Sequence, residues 1–265
     1  FGWFGLPRME VAGAAIATVA AQALSVLISL VVIWKRGLPF AFSLSHVRFF
    51  KDCLVHILKV GIPIALQDVL VHFSFLFIQI VVNGMGVVES AAVGVAEKVC
   101  VFLMLTASAF MQSISAFVAQ NNGAGLQDRS RKALSYGIRM ALFSGAVMGA
   151  LALFFGDGLA TLFSRETGVI LAAHSYLKAY AIDCLLTAIL FCFVGFFNGC
   201  GKTVFVMLQG VIGAFCVRIP VVYLMSALPG ATLFHVGLGT PTSSLVQIVL
   251  CLLYYRHLRK KGRLF

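Results

Sequence analysis

KAYAIDCLLTAILFCFVGFFNG, residues 178–199, is as long and as apolar as a membrane-crossing helix, yet it carries a carboxylate, Asp183, among its apolar residues. A helical span takes about 20 mostly apolar residues. The rest of the chain has the same character: 61% of its residues are hydrophobic, 11% are charged, and the mean hydropathy is +1.01. Ordinary soluble domains are about 45–50% apolar and about 25% charged. The composition therefore excludes an ordinary soluble domain, and the apolar excess is too large for a single anchor.

Six further apolar runs accompany it, so that spans are predicted over 11–33, 62–83, 92–118, 136–155, 176–197, 204–226 and 236–255. NGMG at 83–86, NNGAG at 121–125, NGCGK at 198–202 and LPGA at 228–231 supply turn chemistry between them. The runs are too long for strands and show no sustained alternation. The expected fold class is an all-α integral membrane protein with seven transmembrane helices.

Of the 20 Lys and Arg residues, 15 fall on one side of this arrangement. They are Lys35, Arg36, Arg48, Lys51 and Lys59; Arg129, Arg131, Lys132 and Arg139; Lys202; and Arg256, Arg259, Lys260, Lys261 and Arg263. The positive-inside rule makes that side cytoplasmic. A multi-pass protein of the plasma membrane with a cytoplasmic C-terminus is expected, and the net charge of +11 reflects topology and the lipid bilayer rather than nucleic acid. The seven cysteines form no C-x-x-C pair and read as small buried hydrophobes.

An internal echo bears on domain organisation. At an offset of 225, Val11, Gln22, Lys35 and Gly37 meet Val236, Gln247, Lys260 and Gly262. The second copy lies six spans after the first, so the halves would be parallel repeats, a transporter plan. The first copy would then lack about 180 residues at its start. Residues 1–37 are read as the end of an N-terminal lobe, 38–60 as an amphipathic cytoplasmic linker, and 61–262 as a C-terminal six-helix lobe. The N-terminal lobe is a required partner in this reading.

Polar residues inside membrane helices usually face a bundle interior or a wet cavity. Three spans carry them at steps of three and four, which places them on one helical face. One stripe is Asp68, His72, Phe75, Gln79 and Asn83, with Gln67 beside it. The second is Glu97, Val101, Met104, Ser108, Gln112 and Ser115, and the third is Tyr176, Tyr180, Asp183 and Thr187, with Asn198 further in. A shared aqueous cavity is expected. Asp183, about 10 Å inside its helix, suits proton or cation exchange, or else a structural ion pair with Arg218 or a bond to Tyr180. Asp68 and His72, one turn apart, are further cation-coupling candidates, although Asp68 also suits a solvated mouth. Lys98 is expected to snorkel outward, and Pro220 to kink its helix. Any Na⁺ ligands cannot be assigned individually, and no cofactor is expected beyond a coupling H⁺ or Na⁺.

NGCGKT imitates the end of a phosphate-binding loop, but position 196 is Phe196 and no strand precedes it. An intramembrane enzyme would need a nucleophile or metal ligands at defined spacing. The scattered histidines do not supply that pattern.

GIPIALQDVL, SAAVGVAEKV, AFMQSISAFVAQNNGAGLQDRSRKAL and YLKAYAIDCLLTAILFCFVGFFNGCGKT resemble the multidrug and toxic compound extrusion (MATE) transporters, helices six to twelve. The resemblance implies two six-helix lobes that open alternately and export cationic or amphipathic compounds in exchange for Na⁺ or H⁺. It also implies a substrate site between the lobes, lined here from 73–77, 102–111 and 191–197. The acidic positions of the NorM-type branch fall on Val71 and Thr187, with Asp183 one turn outward of Thr187, so the chain looks closer to the DinF-type branch. A lipid-linked precursor flippase of the same superfamily and a non-transporting remnant are the alternatives.

Overall fold

The computed structural model describes residues 10–37, 48 and 50–262. Every element among them is helical, and seven helices are long and apolar enough to cross a membrane. The expected all-α multi-pass class is what is observed. The chain forms two units divided between Leu54 and Val55.

The first unit contains α1, Glu10–Arg36, which ends on Lys35 and Arg36, where the helix dipole favours cations. Gly37 follows at φ +71°, its N–H bonded to the Ile33 carbonyl at 2.8 Å. The matching end of the echo behaves alike: the last helix finishes with Arg259 and Lys260, and Gly262 lies at φ +62°. Left-handed backbone at both ends explains why glycine stands at both. Within the expected linker, 38–47 and 49 lie outside the described residues, while 51–60 open the next helix.

The second unit holds α2 (Lys51–Asn83, from Val55 on), α3 (Val87–Gly123), α4 (Gln127–Phe154), the short α5 (Gly156–Thr161) and α6 (Thr167–Gly199). Then come α7 (Thr203–Val211), a π-helical segment (Ile212–Arg218), α8 (Ile219–Ser226), α9 (Leu233–Gly237) and α10 (Gly239–Lys260). Helices α3 and α6 outrun their predicted spans at both ends, and α2 and α4 at the start. At 1.5 Å per residue α3 is about 55 Å long, against a hydrocarbon core of about 30 Å. Hydropathy marks the part in lipid, whereas the helix continues into the polar zone.

Helix α6 is the axis of this unit, packed against α3, α4 and α10. Lipid offers helices no hydrophobic drive to associate, so close approach depends on small residues. A Cβ on Gly145 would lie 2.8 Å from the Cys184 carbonyl oxygen, and one on Gly149 2.9 Å from that of Ala181. A Cβ on Gly199 would come within 2.6 Å of the Ser115 carbonyl oxygen. These glycines let α4 and α3 touch the backbone of α6.

Two apolar clusters fill the interior. One contains Val82, Ala96, Leu103, Tyr176, Leu177, Val222 and Val236. The other contains Ile114, Val118, Phe193, Phe196, Phe197, Val206 and Ile248. Between them, on α6, α10 and the π-helical segment, lie Asp183, Thr187, Ser243, Ser244, Gln247 and Arg218, all buried. The second unit thus has two apolar clusters with a polar layer between them.

Pro220, which lacks an N–H, directly follows a π-helical turn. The Gly213 carbonyl within that turn accepts a bond from Ser243 Oγ at 2.7 Å.

Gly149→Leu should disrupt the α4–α6 contact and cost about 1–3 kcal/mol. Gly158→Leu, at a site with no neighbour within 4 Å, serves as the control. Thermal unfolding of both variants in detergent checks this, and equal melting points would refute the account of helix approach.

Candidate functional site

Asp183 is the middle residue of α6, 16 residues from either end. That is about 24 Å along the helix, deeper than the 10 Å expected, because α6 begins at Thr167, nine residues before the predicted span. The residue is 1% exposed. An ionised carboxylate in such a place is costly unless its oxygens are bonded. Both are: Oδ1 accepts from Ser244 Oγ of α10 at 2.6 Å, and Oδ2 from Thr187 Oγ1, one turn along α6, at 3.0 Å.

The alternative of a fixed ion pair with Arg218 is not realised. No nitrogen of Arg218 lies within 4.0 Å of an Asp183 oxygen. Arg218 instead donates from a terminal guanidinium nitrogen to Ser74 Oγ of α2 at 2.9 Å, and its guanidinium sits 4.5 Å from the Phe75 ring centroid. Tyr180 is buried beside Asp183 and does not hydrogen-bond to it.

The other candidates are differently placed. His72 and Asp68 are exposed along an open groove with Val69, Phe73 and Leu76. The His72 ring bonds the main-chain carbonyl of Asp68 at 2.7 Å, so the two side chains share no proton in this structure. Gln79 and Asn83 close a small cluster with Ser90 at the α2–α3 turn: Gln79 Nε2 donates to Asn83 Oδ1 at 3.0 Å and to Ser90 Oγ at 3.1 Å. Ser90 Oγ in turn donates to Asn83 Oδ1 at 2.6 Å. Gln67 packs against Gly210. Glu97, Met104 and Ser108 are half-buried on α3, and Gln112 is exposed. Lys98 is exposed with its Nζ 5.8 Å from the Phe163 ring centroid, as snorkelling requires. The expected apolar lining at 191–197 is packed inward: Phe193, Phe196 and Phe197 make edge-to-face and tilted ring contacts with Phe205, Tyr254 and Tyr255. The open groove takes in Asp68 and His72 of the first stripe, while Asp183 of the third is buried with Ser244 of α10.

Sequence reasoning missed Ser244, Ser243 and Ser74. A signal existed, since Thr240, Ser244 and Gln247 recur at steps of four and three on α10, the same pattern as the other stripes. The turns NNGAG and NGCGK meet as well, through Asn122 Nδ2 and Cys200 Sγ at 3.5 Å.

The profile of the MatE family matches residues 63–224. Among curated relatives, the probable multidrug resistance protein YoeA of Bacillus subtilis is 26% identical, over 99% of this chain and 58% of its own length. The multidrug export protein MepA of Staphylococcus saprophyticus is 27% identical, over 92% of this chain and 52% of its own. The chain therefore spans little more than half the length of these relatives. In fold it is similar to the crystal structure of MATE in the straight conformation, with a TM-score of 0.84 at 19% identity, covering 98% of this chain and 57% of that one.

Ser244→Ala leaves one Asp183 oxygen without its donor and should lower stability by about 1.5–3 kcal/mol. In an Asp183→Asn background the same change should cost at least ~1 kcal/mol less. Thermal unfolding of the four proteins checks this, and additive losses would show that the bond contributes nothing.

Proposed function

This chain belongs to the MatE family, and from that premise we propose that it supplies the C-terminal six-helix lobe of a cation-coupled antiporter that exports cationic or amphipathic compounds by alternating access. The names of the multidrug relatives support the substrate class, and seven apolar helices support the membrane setting. In this reading residues 1–37 end an N-terminal lobe, 38–60 link, and 61–262 form the lobe in which Asp183 exchanges H⁺ or Na⁺.

One observation carries the proposal: a fully buried carboxylate whose two oxygens are held by hydroxyls rather than by a cationic side chain. A carboxylate that serves only as structure is best neutralised by a fixed partner, whereas one that binds and releases a cation has to remain available. Substrate is assigned to the face between lobes, where the half-exposed Glu97, Met104 and Ser108 and the exposed Gln112 lie together on α3. Gln67, Gln79 and Asn83 on α2 are assigned to the same face, with Asp68 and His72 at its cytoplasmic mouth. Val71 and Thr187 stand where the NorM-type branch carries acids, which favours the DinF-type branch.

The natural full-length protein in proteoliposomes provides the test, with ethidium as the probe. Asp183→Asn should reduce ethidium transport driven by an H⁺ or Na⁺ gradient at least about tenfold while changing ethidium affinity less than about threefold. Unchanged gradient-driven transport would remove Asp183 from the mechanism. The cytoplasmic C-terminus is inferred from the distribution of basic residues. A fluorescent protein fused after Phe265 should therefore mature and fluoresce in cells, and a dark, exported fusion would reverse the orientation.

A further inference from the structure

We infer that Arg218 is the internal competitor for the cation at Asp183: a positioning residue that rests on Ser74 while the carboxylate is loaded and swings to the carboxylate when it empties. The inference rests on the coupling role proposed for Asp183 and adds the group that expels the cation.

Arg218 is 6% exposed. A guanidinium at that depth needs an anion, or a full set of acceptors, to offset its lost hydration. It has neither. Among the described residues its bonded partner is one neutral hydroxyl, Ser74 Oγ, the Phe75 ring covers one side, and its Nε, also buried, has no acceptor. Asp183 is the mirror case, an acid bonded to two neutral hydroxyls. Among the described residues, Arg218, Tyr180, Cys100 and Cys184 interact electrostatically with Asp183, and Arg218 is the cation of these four. Two opposite buried charges feel each other, yet each is held by weaker neutral partners.

A single carboxylate is neutralised by a guanidinium or by a bound cation, and either one lowers the affinity for the other. Thermodynamic linkage makes that exclusion reciprocal. The backbone around Arg218 suits a two-position side chain. Arg218 ends the π-helical segment, where removing the extra residue of the wide turn would rotate α8 by about 100°. Neighbouring serines of α10 hold both sides of the exchange, Ser243 on the Gly213 carbonyl of that segment and Ser244 on Asp183. Buried Gln209, whose amide atoms have no partner among the described residues, leaves hydrogen-bonding capacity in the same helical stretch for a rearrangement.

The decisive measurement is an infrared titration of the Asp183 carboxylate in the natural full-length protein in lipid, without substrate, as H⁺ and Na⁺ are varied. The band is assigned by its loss in Asp183→Asn. Arg218→Gln removes the competitor, so half-occupancy should need about tenfold less cation; Ser74→Ala removes the resting place, so it should need about tenfold more, the worth of one charged hydrogen bond. Arg218→Lys, which keeps the charge, should stay near the natural value and replaces Arg218→Gln if that variant does not fold. A merely structural arginine would move both variants the same way or neither, which overturns the inference while leaving Asp183 as the coupling site. A band that never titrates overturns both.

Discussion

Everything in the second unit is arranged around one constraint: a carboxylate at the middle of a buried membrane helix has to keep its oxygens bonded. Water cannot do it there, because Asp183 is enclosed. The bonds therefore come from two hydroxyls, one a turn away on the same helix and one on α10. That requirement ties α10 to α6 at mid-height. It also explains why the apolar interior is not one core but two, with small polar residues where α6, α10 and the π-helical segment cross. Without hydrophobic drive between helices in lipid, such a layer supplies specific attraction where apolar packing alone would not choose a register.

The same layer accounts for the irregular backbone nearby. Pro220 cannot donate, so a regular helix would leave the Cys216 carbonyl without its main-chain donor. The wide turn lies just before the proline, and within it the Gly213 carbonyl accepts from Ser243 Oγ. Adjacent side chains of one helix thus bond a carbonyl of the wide turn and the buried carboxylate.

Much of the fold was legible in the sequence because length and apolar character are decided by the bilayer, a uniform solvent. Seven runs read as spans correspond to seven long helices. Helix ends were not legible: α3 runs from Val87 to Gly123 although its apolar part is 92–118, since nothing in hydropathy reports a helix that continues into water. Asp183 stood out as a lone acid in an apolar run. Its partners did not, because Ser and Thr are common in membrane helices and Ser244 shows as a partner only when α10 is seen against α6. The Phe-rich stretch 191–197 misled for the converse reason. Aromatic side chains suit a binding surface and a packed interior equally, and here the interior claims them.

Hydroxyls, rather than amides or a cation, hold Asp183 because of the bonds each group can make. A main-chain N–H or a guanidinium only donates, so it satisfies the charged carboxylate and nothing else. A hydroxyl donates and accepts. Ser244 and Thr187 can donate to the ionised carboxylate. When it carries a proton, the same oxygens can accept from it; when it carries a small hard cation, which takes oxygen ligands, they can turn lone pairs toward the ion. Both occupancies leave the buried groups bonded without moving a helix, so neither state bears the penalty of an orphaned polar atom. A site built this way exchanges its cation at modest energetic cost. The expensive part of the cycle then falls on the group that has to be charged in both states, the guanidinium of Arg218.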